Sequence, residues 1–309
     1  MSANPLAGSD VLSADQFSPD LCGVVFERAR QYREALANEE KLDELHGRVL
    51  VNLFYEPSTR TSASFAAAML RLGGQVFPIS EIKSSSVTKG ETLADTVRTL
   101  DQYADVIVIR NPEVGAAQEA AEAAEHPVIN AGDGIGEHPT QALLDLFTII
   151  EERGGPDGLT VTFVGDLKYG RTVHSLAKLL SRYDVTLNYV SPKSLGMPTE
   201  LKEAVTVGQH ETTDLESVLP QTDVLYVTRV QQERFPSKAA YEQAKGNYVV
   251  TPESLEPAKD DLVVMHPLPR VDEIDRRVDA DPRAAYFREV KNGLYVRMAL
   301  LALVLDGAG

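Results

Sequence analysis

The sequence predicts an α/β protein of two domains, each a mainly parallel β-sheet with helices on both faces. Two observations lead there. Short β-branched runs alternate with longer stretches of helical apolar spacing along almost the whole chain, a pattern that builds parallel sheets flanked by helices. At 309 residues the chain also passes the size, about 250–300 residues, at which one core stops growing.

Taken in order, Val25, Ala29, Tyr32 and Leu36 recur at helical spacing and predict an opening amphipathic helix before the polar break Asn38 to Lys41. Strands are expected at Val49–Leu53, Gln75–Ile79, Val106–Ile109 and Val128–Asn130, with helices at Ser62–Leu72, Glu91–Tyr103, Gly115–Ala124 and Thr140–Arg153. Ser84 to Gly90 is a polar loop. The run Gly154-Gly155-Pro156-Asp157-Gly158 breaks the chain as a domain junction would. Beyond it, Thr160–Val164, Val185–Val190, Val224–Val227 and Leu262–Met265 read as strands, Arg171–Ser181 as a helix and Gly293–Leu305 as the last helix. The expected division is 1–150, 151–292 and a terminal helix, 293–309.

Composition narrows the function. A formal charge of −16 argues against nucleic acid or an anionic membrane as partner, though local arginines can still gather an anion. The longest strongly apolar stretch, Met298 to Leu305, is far short of the roughly 20 residues of a membrane span. Met1 to Pro19 lacks the basic-then-apolar order of a signal peptide, so a soluble cytoplasmic protein is expected. The single cysteine, Cys22, excludes an intrachain disulfide. The six histidines form no close ligand pair, so no metal is expected.

The most informative run is Phe54-Tyr55-Glu56-Pro57-Ser58-Thr59-Arg60-Thr61. It sets hydroxyls where a strand gives way to a helix, beside free backbone N–H groups and the positive end of the helix dipole. Arg60 adds a guanidinium able to hold phosphate through two parallel hydrogen bonds. An ordinary Ser/Thr cap with a surface arginine would look the same in isolation. Two further motifs follow in order, His138-Pro139-Thr140-Gln141 and His266-Pro267-Leu268-Pro269-Arg270.

Together the three motifs resemble the aspartate/ornithine carbamoyltransferase family, from about Val49 to the C-terminus. The resemblance implies transfer of the carbamoyl group of carbamoyl phosphate to an amine, with no cofactor. By it, Ser58, Thr59, Arg60 and Thr61 hold the phosphate and Arg110, at a strand end, supplies a second guanidinium. His138 bonds the carbonyl oxygen as charge grows on it. Gln141 and the backbone carbonyls of Leu268 and Pro269 accept from the carbamoyl nitrogen. Arg171, Arg229 and Gln231 suit the two carboxylates of L-aspartate, whose carbamoylation belongs to pyrimidine biosynthesis. The ornithine-using relatives have a cysteine where this chain has Pro267. Lys89 and Ser85, with Ser86 as the alternative serine, correspond to a loop that enters a neighbour's active site, which implies a homotrimer with shared sites. Glu56 and Arg234, with Arg171, are available for domain-closing salt links. Whether a separate regulatory chain binds is left open.

Two departures accompany the match. Ser62-Ala63-Ser64-Phe65 follows Thr61 where relatives carry an arginine, and Phe235-Pro236-Ser237-Lys238 lacks the acidic residues of the best-known relative. The rival from another class is a P-loop nucleotide-binding protein. Gly165-x-x-x-x-Gly170-Arg171-Thr172 imitates its phosphate loop, but with arginine in place of the lysine. A transcarbamoylase with another amine acceptor is the nearer rival.

Overall fold

The apolar run Val49–Phe54 forms the first strand, β1, buried from Leu50 onward, as a strand covered on both faces must be. It pairs in parallel with β2 (Gln75–Ile79) on one side and β3 (Val106–Asn111) on the other, and β3 pairs with β4 (Val128–Asp133). The sheet order is β2-β1-β3-β4. The chain is described here from a computed structural model, over residues 4–79, 90–229 and 248–306. It divides into two units, Met1–Leu144 with Asn292–Gly309, and Asp145–Lys291.

In the first unit the opening helix, α1, runs over Pro19–Ala37. Ser18 caps it by accepting from the Leu21 N–H, and Pro19 occupies the first turn, where a missing N–H costs nothing. Helix α2 (Thr59–Arg71) starts three residues ahead of the expected Ser62. It covers one face of the sheet, where the Asn52 amide donates to the Ser62 carbonyl at 3.2 Å. Helices α3 (Leu93–Asp101) and α4 (Ala116–Ala123) cover the other. Their Val97, Leu100, Ala117 and Ala120 pack with Val51, Leu53, Ile107, Ile109 and Val128, the side chains of alternating parity on the strands. Each sheet face therefore carries helix.

Helix α5 (Pro139–Arg153) follows β4. The second unit holds five parallel strands: β5 (Thr160–Val164), β6 (Thr186–Val190), β7 (Gly208–Thr212), β8 (Val224–Val227) and β9 (Val263–Met265). Their order is β7-β6-β5-β8-β9. Val164, Val190, Leu225, Val227 and Val264 face a core with Leu219, Tyr248, Leu255 and Tyr286. On the opposite parity, Phe163 stacks with Tyr189 and meets Tyr226 edge-on, at centroid distances of 6.0 and 5.6 Å.

Helix α6 (Arg171–Leu180) buries Val173, Leu176, Ala177 and Leu180. Strand β7 and the short helix α7 (Thr199–Ala204) have no counterpart in the sequence reading. β7 is a sheet edge whose first four residues are exposed, so it lacks the apolar pattern that betrays a strand.

The last helix, α8, spans Tyr286–Leu305, beginning seven residues before the expected Gly293. Glycine there marks close packing instead of a helix end: a Cβ on Gly293 would lie 3.0 Å from Leu144 Cδ2. Among the described residues no helix is long and apolar enough to cross a membrane.

Candidate active site

The ends of β1, β3 and β4 lie side by side, and parallel sheets bind ligands beyond such ends. Phe54 is the register partner of Arg110, and the Tyr55 N–H donates to the Arg110 carbonyl at 2.8 Å. The loop into α2 is thereby tied to the end of β3. Ser58 occupies the cap position of α2, yet its side chain makes no capping hydrogen bond, and the first turn carries no acidic residue. An open helix start of this kind can receive an anion.

Arg60 projects from that first turn and is exposed. Among the described residues it has no carboxylate partner, and partial desolvation by its surroundings pulls its pKa below the ordinary arginine value. A guanidinium in this condition gains from any anion that reaches it. Thr61 is buried, at 7% exposure, while Thr59 remains open. Arg110 is held from both sides. Its Nε lies 3.2 Å from Glu56 Oε2, and its Nη1 donates to the Ala131 carbonyl at 3.4 Å. Glu56, expected in a domain-closing link, thus has a partner within its own unit.

His138 is aimed by the turn that precedes it. Asp133, at the end of β4, accepts from the Glu137 N–H at 2.7 Å through one carboxylate oxygen and from the Gly115 N–H at 3.0 Å through the other. Gly134 has a φ of 51°, and a Cβ there would strike the Pro112 carbonyl at 2.6 Å, so only glycine fits. The imidazole is buried at 3% exposure. Its backbone carbonyl accepts from the Gln141 N–H at 3.0 Å, which sets Gln141 one turn along, itself 8% exposed.

In the second unit, Arg171 and Arg229 follow adjacent strands, for Val164 at the end of β5 pairs with Val227 at the end of β8. The join is tight. Gly165 has a φ of 121°, and a Cβ there would sit 2.2 Å from the Thr228 carbonyl oxygen. The Thr228 N–H donates back to the Val164 carbonyl at 2.8 Å. Arg171 opens α6 after Gly170, where a side chain would meet the Asp166 carbonyl at 2.5 Å. The neighbouring Thr172 hydroxyl bonds the buried Tyr226 phenol. A P-loop would turn that hydroxyl toward a metal-bound phosphate, so the nucleotide reading loses its support here.

The turn at His266–Arg270 is built around a buried pair. His266 Nε2 lies 2.7 Å from Glu273 Oε1, and His266 Nδ1 accepts from the Leu268 N–H at 2.7 Å. The proton is therefore on Nε2, directed at the carboxylate. Burial would raise the pKa of Glu273, but hydrogen bonds from His266 and from the Val271 N–H outweigh it and hold the group at about 2. Leu268 has a φ of 54° and precedes a cis bond to Pro269. A leucine in the left-handed region is uncommon, and here the His266–Glu273 brace holds it. Arg270 pairs with Asp279 at 2.6 Å and lies over the Tyr286 ring.

Ser85, Lys89, Gln231 and Arg234 lie outside the described residues. Three side chains that the sequence reading passed over matter locally: Glu273, Asp145 and Glu289. Asp145 was the most visible, an acid inside the apolar run Leu143 to Ile150.

Comparison with known proteins identifies the family. The carbamoyl-P binding domain of aspartate/ornithine carbamoyltransferase matches residues 9–151, and the Asp/Orn binding domain of the same family matches residues 157–304. The chain is 54% identical to the aspartate carbamoyltransferase catalytic subunit of Thermococcus gammatolerans, over 96% of this chain and 98% of that one. It is 55% identical to the multifunctional protein pyr1-3 of Dictyostelium discoideum over 100% of its own length, but spans only 14% of that protein. The crystal structure of aspartate transcarbamoylase from Trypanosoma cruzi in complex with carbamoyl phosphate and aspartate is similar at a TM-score of 0.92, with 47% identity, over 97% of this chain and 98% of that one. With both halves matched in order, the chain belongs to the aspartate/ornithine carbamoyltransferase family.

Proposed function

We propose that the protein transfers the carbamoyl group of carbamoyl phosphate to the amino nitrogen of L-aspartate, giving N-carbamoyl-L-aspartate and phosphate in pyrimidine biosynthesis. The observation that carries this reading is Arg60, a guanidinium without a carboxylate partner among the described residues, at a helix start that Ser58 leaves uncapped. Ser58, Thr59, Arg60 and Thr61 hold the phosphate, and Arg110, braced by Glu56, holds its far side.

His138 donates to the carbonyl oxygen, and the bond strengthens as the amine adds and negative charge collects there. Gln141 and the carbonyls of Leu268 and Pro269 accept from the carbamoyl nitrogen and fix the rotation of the group. Arg171 and Arg229 bind the two carboxylates of aspartate, with Gln231 beside them. The aspartate nitrogen forms its bond to the carbonyl carbon, the bond from that carbon to the phosphate oxygen breaks, and the departing phosphate takes the amine proton. No covalent intermediate with the protein is needed, so the rate derives from orientation and charge stabilisation.

A homotrimer with Ser85 and Lys89 lent to the neighbouring site completes the reading. Leu70 and Phe77, 61% and 53% exposed on the first unit, suit a contact between copies. An acceptor screen with labelled carbamoyl phosphate tests the assignment. Aspartate is expected to outpace ornithine and putrescine; a faster reaction with either diamine would overturn it.

A further inference from the structure

A buried carboxyl pair lies outside the residues given roles above. Asp145 on α5 and Glu289 on α8 are 0% and 1% exposed, and their side chains hydrogen-bond each other. Two carboxylate anions cannot do this, since each only accepts; the contact requires a proton on one of them. Each also accepts from another group. The Tyr226 hydroxyl donates to Asp145 Oδ2 at 2.7 Å, and the His266 N–H donates to Glu289 Oε2 at 2.9 Å.

The pair is the centre of a longer chain of contacts. The Thr172 hydroxyl bonds the Tyr226 phenol, and Thr172 adjoins Arg171. At the other end, His266 opens the turn that carries Leu268 and Pro269. Asp145 and the His266 N–H are the groups that act on Glu289. Asp145 and Tyr226 are the titratable groups turned toward it, from α5 and β8, while the His266 ring is directed at Glu273. Whichever carboxyl carries the proton, the other is an anion that accepts from it and from its own donor, the Tyr226 hydroxyl for Asp145 and the His266 N–H for Glu289.

We propose that Asp145 and Glu289 share one proton at neutral pH, and that the pair positions both the His266–Pro269 turn and the start of α6. The catalytic half of this statement rests on the carbamoyl-transfer reading; the shared proton does not. Burial and the neighbouring Asp145 charge push the Glu289 pKa well above its ordinary value, in keeping with the geometry. Both residues are positioning residues, since neither is assigned a contact with substrate.

The test uses two variants of the full chain. Glu289→Gln replaces one carboxyl oxygen with an amide nitrogen that donates to Asp145, while the remaining oxygen still accepts from the His266 N–H. Glu289→Leu can do neither. In the wild type the folded state holds a proton that the unfolded chain releases above about pH 4.3. Wild-type stability must then fall, relative to the glutamine variant, as pH rises through the neutral range.

Urea unfolding from about pH 5 to about pH 8 is expected to give a gap that widens in favour of Glu289→Gln. A gap that does not change with pH overturns the shared proton, and this readout needs no substrate. In turnover, Glu289→Gln is expected to keep most of the parental kcat. Glu289→Leu is expected to lose about tenfold to a hundredfold, with a smaller change in the KM for carbamoyl phosphate.

Equal loss in both variants would overturn the positioning role. If Glu289→Leu does not fold, the glutamine variant must still keep its rate, and its failure to do so would count the same way. A parent that does not carbamoylate aspartate would overturn the enzyme assignment while leaving the pH-dependent gap to decide the proton.

Discussion

The imidazole of His266 and the carboxylate of Glu273 form a buried pair at 2.7 Å, with side chains 2% and 6% exposed. One ring nitrogen donates to the acid and the other accepts from the Leu268 N–H. A single side chain thus ties the turn to the body of its unit and sets where the Leu268 carbonyl points.

Acid should remove the stability that this brace contributes once the pH falls below the ordinary carboxylate range. The Glu273 carboxyl is held at about 2 against an ordinary 4.5. A depressed acid contributes stability that is complete above the unfolded value and is lost as pH falls from there toward about 2. The shift corresponds to about 3 kcal/mol. Glu273→Gln should therefore lose stability at neutral pH and differ less from the parent below about pH 3, as urea midpoints at several pH values would reveal.

Arg60→Ala removes charge from an exposed helix start, so its melting temperature should stay close to that of the parent. Its affinity for carbamoyl phosphate should fall at least about tenfold, because charge-assisted contacts of about 1.5–3 kcal/mol each are lost. Steady-state kinetics beside a melting curve separates the two effects. Unchanged affinity for carbamoyl phosphate together with unchanged turnover would remove Arg60 from the site.

His138→Ala should act on kcat more than on KM. Removing one donor to a developing oxyanion costs about 10²–10³ in rate. A variant altered only in KM would mark His138 as a residue that binds ground state and transition state alike.

Gly165→Ala probes the join between the two strand ends that present Arg171 and Arg229. Its Cβ would fall 2.2 Å from the Thr228 carbonyl oxygen, and a φ of 121° resists any side chain. Stability should drop by about 1–3 kcal/mol, and the KM for aspartate should rise more than that for carbamoyl phosphate. Equal effects on both substrates would argue that the glycine serves folding alone.

The shared site can be tested by mixing subunits. Lys89→Ala and Arg60→Ala assemblies should each be nearly inactive. Dissociated and reassembled together, they should regain activity wherever an intact Arg60 receives an intact Lys89 from its neighbour. Mixed trimers verified by mass and still inactive would place Lys89 in the service of its own chain.

What the sequence made legible was chemistry packed into contiguous runs. Ser58 to Thr61, His138 to Gln141 and His266 to Arg270 each combine several polar types at a junction between elements, so each carries its own signal. Glu273 and Glu289 gave none. A lone acid looks solvated until its burial is known, and theirs depends on partners elsewhere along the chain, as far as Asp145 for Glu289. Strand β7 escaped notice because an exposed edge has no apolar alternation to read. Gly293 misled for a related reason: in sequence a helix-interrupting glycine and a helix-packing glycine are identical, and only Leu144 tells them apart.

Helix α2 begins without the hydrogen bond that a capping serine oxygen accepts from a first-turn N–H. On the carbamoyl-transfer reading, a bound phosphate would accept from the first-turn N–H groups and act as the cap. Inorganic phosphate alone should raise the melting temperature, in proportion to the logarithm of its concentration once the site is filled. The same logic sets a limit on engineering. Ser58→Asp would give α2 a permanent anionic cap and a partner for Arg60, so the protein would gain heat resistance while turning away its own substrate.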